Sequence, residues 1–228
     1  YLNDYLKVLK NPLINGLTIQ ILKRSFYKNN TKFEKFYLND KKITSFLKKS
    51  KKYKKEIGFA TNDFLLAKKF KKKISFLKIL SRDFSNTTLI NNFLSLNLPL
   101  FLSVGLSSSK EIKQSLSKLK KKKLIQFSSL LHTSFDKKTK NLFNFKSNED
   151  FSLKRINILK KKYNLHVGFV SHFKKQDKII SVLKYNPHAI FFYIKLNKRL
   201  DYPDDKWAVK LRDLKKLTNK IKKIYKYK

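Results

Sequence analysis

The chain has 228 residues, with 55 Lys+Arg against 15 Asp+Glu and a formal charge of +40. It contains no Cys, which excludes disulfide frameworks, cysteine zinc sites and thiol nucleophiles. Its length fits one domain or two small ones. The 41% hydrophobic and 14% aromatic content argues against disorder, and no apolar run approaches the ~18 residues of a membrane span.

Tyr1 to Asn11 reads as a charged, helix-like segment rather than a signal peptide. There is no Met anywhere, which fits a sequence that begins inside a longer chain. Short β-branched or aromatic runs then alternate with longer helix-periodic segments. The expected strands are Leu17–Leu22, Glu56–Thr61, Ile74–Leu80, Leu98–Ser103, Leu124–Ser129, Leu165–Val170 and His188–Leu196. The expected helices are Asp40–Tyr53, Asp63–Lys71, Thr87–Leu96, Ser108–Lys121, Ser152–Tyr163, Phe173–Tyr185 and Trp207 to about Tyr225. Asn86 stands where a cap belongs, before a run with Leu89, Ile90, Phe93 and Leu94 on one face. Ser108 and Glu111 have capping-box spacing. In the last helix Leu217, Ile221 and Ile224 fall on one face.

Near-continuous apolar strands suit a parallel sheet covered on both faces. Alternating strands and helices predict an α/β fold with right-handed crossovers. Seven strands behind an opening helix match a (β/α)8 TIM-type barrel lacking its first strand, as a single domain over residues 1–228. An open doubly wound sheet is the rival. The four Gly supply no Gly-rich phosphate loop after the first strand, which weakens its dinucleotide-binding form.

The charge raises nucleic-acid binding, since Lys and Arg neutralise phosphates. Only five of the 55 basic residues are Arg, and base-edge readout leans on the Arg fork. The Lys runs are scattered rather than gathered into one stripe. Few Gly and Ala against abundant Lys, Asn, Ile, Phe, Leu and Tyr is the signature of A/T-rich codons. The charge therefore reads as the solvated faces of ordinary helices, with nucleic acid as the weaker alternative.

In a barrel of this kind the chemistry sits at the C-terminal strand ends. That singles out Gln20, Thr61, Lys78, Ser81, Ser103, Ser128, Ser129, Ser171, His172 and Tyr193. Lys78 interrupts the apolar run ISFLKIL, so it either enters the barrel mouth, where it could hold an anion, or snorkels. Gly105 and Gly168 stand near strand ends in a Gly-poor chain and mark backbone positions that resist replacement.

Five segments in order resemble one family, the sialic acid synthases (N-acetylneuraminate synthase and the related legionaminate and pseudaminate synthases). EIGFATNDF is similar to I-x-F-x-S-T-P-F-D, and ISFLKILSRDFSN to V-x-x-F-K-I-A-S-x-E-x-x-N. NLPLFLSVGLSSSKEI is similar to K-P-V-I-L-S-T-G-M-x-x-x-x-E-I, and LHVGFVSHF to V-P-V-G-Y-S-D-H-T. AIFFYIKLNKRLDYPDDKWAV resembles the acidic/His strand and the P-D-H segment after it. The resemblance spans about Gly16 to Leu214.

It implies a (β/α)8 barrel that condenses phosphoenolpyruvate with an N-acylated hexose in nonulosonic acid biosynthesis. A divalent metal, manganese or magnesium, would polarise the sugar aldehyde. By position, Lys78, Ser81, Ser103, Gln20 and Asn86 correspond to substrate-binding residues, and His172 to the first metal-binding histidine. No catalytic residue is assigned. The resemblance further implies a cytoplasmic protein, with no membrane partner and with a homodimer among its expected states.

The departures are specific. Thr18 holds the lysine position of K-F-Q. Tyr193 or Ile194 falls where the second metal histidine belongs, and Ser171 replaces the Asp of S-D-H. The Y-P pair has no counterpart near Leu130–Thr133. The first strand, with its acidic residue and H-N-G pattern, has no counterpart, nor has the C-terminal antifreeze-like domain. These departures put catalysis in question. They leave a catalytically degenerate binding or scaffolding barrel as the alternative to a synthase.

Overall fold

The computed structural model describes residues 2–119, 128–134, 152–173, 176–196 and 204–226. The chain divides into two compact units, one of residues 1–102 and 115–127, the other of residues 103–114 and 128–228.

The first unit opens on a 3-10 helix, Leu2–Lys10, where the sequence reads as helix-like. Its strands are β1 (Gly16–Gln20), β2 (Glu56–Ala60), β3 (Phe76–Ile79) and β4 (Leu100–Ser103), whose last residue falls in the second unit. Each pairs in parallel with the next. Between β1 and β2 run α1 (Arg24–Lys28), the 3-10 helix Thr31–Phe36 and α2 (Asp40–Ser50); α3 (Phe64–Phe70) and α4 (Thr87–Leu94) follow β2 and β3.

Register sets two faces on this sheet, because paired residues of parallel strands project to the same side and neighbours alternate. One row is Ile19, Phe59, Leu77 and Leu100. All four are buried, and Phe59 meets Phe70 of α3 edge to face. The opposite face carries the row Gln20, Ala60, Lys78 and Phe101. The helices behind the first row start on side-chain caps. Asn39, Asp63 and Asn86 accept from the backbone N–H three residues on, at 3.0 Å each.

The second unit contains β5 (Ser128–Ser134), β6 (His166–Ser171) and β7 (Ile190–Phe192), again parallel and in chain order. Its helices are α6 (Arg155–Tyr163), α7 (Gln176–Ile180) and α8 (Leu214–Lys226); α5 (Ser109–Ser117) starts in this unit. The start of α5 is the expected capping box. Glu111 N–H donates to Ser108 Oγ at 3.2 Å, and Ser108 N–H to Glu111 Oε2 at 2.6 Å. Ile179, Val209 and Leu217 form a buried cluster joined by Ile180, Ile190, Phe192 and Ile221, which seats α8 against α7 and β7.

The seven parallel strands, four and three, agree with the α/β reading. Several boundaries differ from expectation. The fifth strand continues to Ser134, so Ser128 and Ser129 do not end it; the expected stretch Leu124–Phe127 lies outside the described residues. The run His188–Leu196 is broken. β7 ends at Phe192, and after Tyr193 a two-residue strand β8 (Ile194–Lys195) pairs in parallel with β9 (Val209–Lys210). That pairing takes Val209 and Lys210 out of the last helix, which begins at Leu214 after a 3-10 turn. α1 and the 3-10 helix after it lie where no element is expected, because RSFYKNNTKFEKF is too short and too polar for helical periodicity to emerge.

Gly105 and Gly168 are tied to their places. A Cβ on Gly105 would lie 2.5 Å from Thr133 Cβ, and one on Gly168 2.7 Å from Leu131 Cδ2 and 2.8 Å from the Ala189 carbonyl oxygen. No helix among the described residues is long and apolar enough to cross a membrane.

Candidate functional site

Four of the six residues nominated from sequence belong to the first unit: Gln20, Lys78, Ser81 and Asn86. Lys78 lies in β3, flanked by Leu77 and Ile79, and is 6% exposed. Burial favours the neutral form of a lysine unless anionic or dipolar groups attend it. A lysine fixed in a rigid strand is also held in one place, as a binding cation must be.

The residues beside it explain how so long a side chain fits. Lys78 pairs with Ala60, and Ala60 pairs with Gln20 at the last position of β1. Two residues back in the same strands, on the same face, Phe76 pairs with Gly58. A Cβ on Gly58 would lie 2.1 Å from the Phe76 ring. Strand β2 thus offers its two smallest residues to this face, Gly58 under the Phe76 ring and Ala60 between Gln20 and Lys78. Strand spacing puts the Gln20 and Lys78 backbones on the order of 10 Å apart. The methyl of Ala60 is the only side chain of that row between an ammonium and an amide.

Ser81 and Asn86 follow β3. Ser81 opens a 3-10 turn, Ser81–Asp83, and is partly exposed. Asn86 is exposed, and its Oδ1 caps α4, so its amide nitrogen is the part turned to other uses. Thr61 has a structural task. It is fully buried, its N–H donates to the Lys78 carbonyl at 3.2 Å, and its hydroxyl accepts from Asp63 N–H at 3.0 Å.

Ser103 and His172 belong to the second unit. Ser103 ends β4, is 4% exposed, and its hydroxyl has no hydrogen-bond partner among the described residues. An unsatisfied buried hydroxyl costs free energy unless something supplies a partner. Its neighbour Val104 is held by N–H donation to the Leu131 carbonyl at 2.9 Å. The next turn is held by Arg155 and Tyr163 of α6. Arg155 donates to the Ser107 carbonyl at 2.7 Å, and the Tyr163 hydroxyl to the Ser109 carbonyl at 3.0 Å. Nothing in the sequence distinguishes Arg155 from the surrounding basic residues; only its 2% exposure does.

His172 follows β6 and Tyr193 follows β7, so both stand just past C-terminal strand ends. Tyr193 Oη lies 3.3 Å from His172 Nε2, with the rings edge to face at 5.2 Å. Trp207 also meets the imidazole, with ring centroids 5.0 Å apart and the planes at 75°. Lys206 lies over the Trp207 ring, 4.2 Å from its centroid. The β8–β9 pair fixes the arrangement, because Val209 N–H donates to the Tyr193 carbonyl at 2.8 Å. Burial pushes the Tyr193 phenol well above its ordinary range, and the Asp204 carboxylate adds to that. Trp207 is the only Trp in the chain, and its sequence context predicts merely a helix start. Its place beside His172 follows from the short strand pair, which has no periodicity to betray it. Ser171 is buried and accepts from Phe173 N–H at 3.3 Å.

The family model for the NeuB family matches residues 23–228. No curated protein sequence matches the chain. Among solved structures, the N-acetylneuraminic acid (sialic acid) synthetase of Leptospira borgpetersenii, in complex with citrate, is 21% identical. That match covers 99% of this chain and 77% of that one, with a TM-score of 0.79. A putative spore coat polysaccharide biosynthesis protein E of Chromobacterium violaceum is 12% identical, over 99% of this chain and 69% of that one, with a TM-score of 0.76. A truncated 3-deoxy-D-arabino-heptulosonate 7-phosphate synthase of Thermotoga maritima is 14% identical, over 93% and 88%, with a TM-score of 0.68. At these identities the likeness is one of fold.

Proposed function

Because the chain belongs to the NeuB family over residues 23–228, we propose that it serves nonulosonic acid biosynthesis and binds phosphoenolpyruvate along the Gln20–Ala60–Lys78 row. The observation that carries this reading is Lys78, a buried lysine in a rigid strand whose cross-strand neighbour is an alanine. An ammonium is a compact point charge suited to phosphate or carboxylate oxygens. Its attraction for an anion rises as water is excluded. The Gln20 amide and the Ser81 hydroxyl supply neutral donors at the ends of β1 and β3.

Condensation with an N-acyl hexose asks for more, namely an activated aldehyde. In the family a divalent metal supplies that activation. The phenol and indole around His172 favour the degenerate alternative, in which the chain binds phosphoenolpyruvate without condensing it.

Titration calorimetry of phosphoenolpyruvate onto the full chain tests the reading, with Lys78→Met as the comparison. Saturable binding that weakens at least tenfold in the variant, about 1.4 kcal/mol, is expected. Equal binding by both proteins, or none by either, would refute it. Phosphate release from phosphoenolpyruvate and N-acetylmannosamine in the presence of manganese would restore the full synthase reading.

A further inference from the structure

The surroundings of His172 do not fit a site for manganese or magnesium. Such cations take carboxylate, carbonyl and water oxygens, with imidazole as an additional ligand. His172 meets a phenol and an indole, and an indole N–H donates without accepting. Among the described residues, no three His, Cys, Asp or Glu side chains gather where they could hold an ion. The Lys206 ammonium over Trp207 adds positive charge nearby.

One side chain dominates the mismatch. Two ligands on one first-row ion, each about 2.1 Å from it, lie roughly 3 Å apart. Tyr193 Oη and His172 Nε2 are 3.3 Å apart, so the phenol stands where a second ligand would stand. It also commits Nε2. If Nε2 accepts the phenol proton its lone pair is used, and if Nε2 carries the proton it has no lone pair to offer. Building on the phosphoenolpyruvate reading above, we infer that Tyr193 sets the cation specificity of this chain: paired with His172 Nε2, it keeps a divalent cation off that nitrogen, and phosphoenolpyruvate is taken without one.

Trp207 makes this measurable without any turnover. It is the only Trp in the chain and lies against His172, so paramagnetic manganese bound at His172 quenches its emission. Manganese is titrated onto the full-length wild type, Tyr193→His, and Tyr193→His combined with His172→Ala. Trp207 emission is read, with circular dichroism as the check on folding. The wild type is expected to show no saturable quenching up to millimolar manganese. Tyr193→His is expected to quench saturably, and the double variant to lose that response. If Tyr193→His fails to fold, Tyr193→Asp takes its place with the same expected outcomes. Saturable quenching of the wild type that disappears in His172→Ala would overturn the inference. So would a folded Tyr193→His, or its replacement, that does not quench. Loss of the phosphoenolpyruvate reading is distinguishable, since it appears in calorimetry on the wild type and leaves the quenching comparison intact.

Discussion

Lys78 stands directly across the β2–β3 pair from Ala60. That pairing of a long cationic side chain with a methyl is the feature on which the proposed function turns. Ala60 in turn faces Gln20, so the row runs from amide to methyl to ammonium. A larger residue at position 60 would fill the gap between the two polar groups. Ala60→Leu is expected to weaken phosphoenolpyruvate binding at least as much as it weakens the fold. Overpacking of a buried strand position costs about 1–3 kcal/mol in stability. Calorimetry under conditions where circular dichroism shows the variant folded separates the two effects.

Asn86 has a structural task as well as a nominated binding role. Its Oδ1 accepts from Leu89 N–H at the start of α4. Asn86→Ala is expected to lose about 1 kcal/mol of stability in urea unfolding. Asn86→Asp retains the cap and suits the positive end of the helix, so its stability should match the wild type. If the Asn86 amide also serves the anion, Asn86→Asp will bind phosphoenolpyruvate less well at unchanged stability. Equal affinity would confine Asn86 to capping.

Arg155 holds the turn that follows Ser103 and Val104. Its guanidinium is buried and donates to the Ser107 carbonyl. Arg155→Met removes that donor and leaves the carbonyl of a buried residue with less hydrogen bonding, for a cost of about 1–3 kcal/mol. Arg155→Lys should recover part of the loss. Thermal unfolding of the three proteins checks the order wild type, Arg155→Lys, Arg155→Met.

His166 and His188 stack face to face at 4.3 Å and 22° where β6 begins and β7 is about to begin. Partial burial holds the His188 imidazole below its ordinary value, with the positive charges of His166 and Lys160 acting in the same direction. The unfolded chain therefore takes up a proton at this residue before the folded one does. The contribution is complete above the ordinary histidine value of about 6.5 and is lost as the pH falls through it toward the lower folded value. Between pH 8 and pH 5 the wild type is expected to lose more thermal stability than His188→Gln. Parallel pH profiles for the two would contradict this.

The sequence discloses the strands of the first unit because each is a compact apolar run between polar helices. It discloses Lys78 for the same reason, as a charge where the pattern requires none. The capping residues Asn86 and Ser108 are legible because capping is local chemistry. What it conceals depends on contacts between distant segments. Arg155 looks like any other basic residue until burial sets it apart. Trp207 reads as the head of a helix because the β8–β9 pair is too short to carry a period. Tyr193 is visible as a departure from a family motif, but its 3.3 Å approach to His172 requires two strand ends that are 21 residues apart in the chain.

The central claim is that the anion site at Lys78 works independently of a metal. The most direct measurement is a calorimetric titration of phosphoenolpyruvate onto the full chain, once in excess EDTA and once in millimolar manganese. After correction for binding of manganese to the ligand itself, the same dissociation constant is predicted in both, with Lys78→Met at least tenfold weaker in each. Binding that appears only with manganese, or that is unaffected by Lys78→Met, would contradict the account.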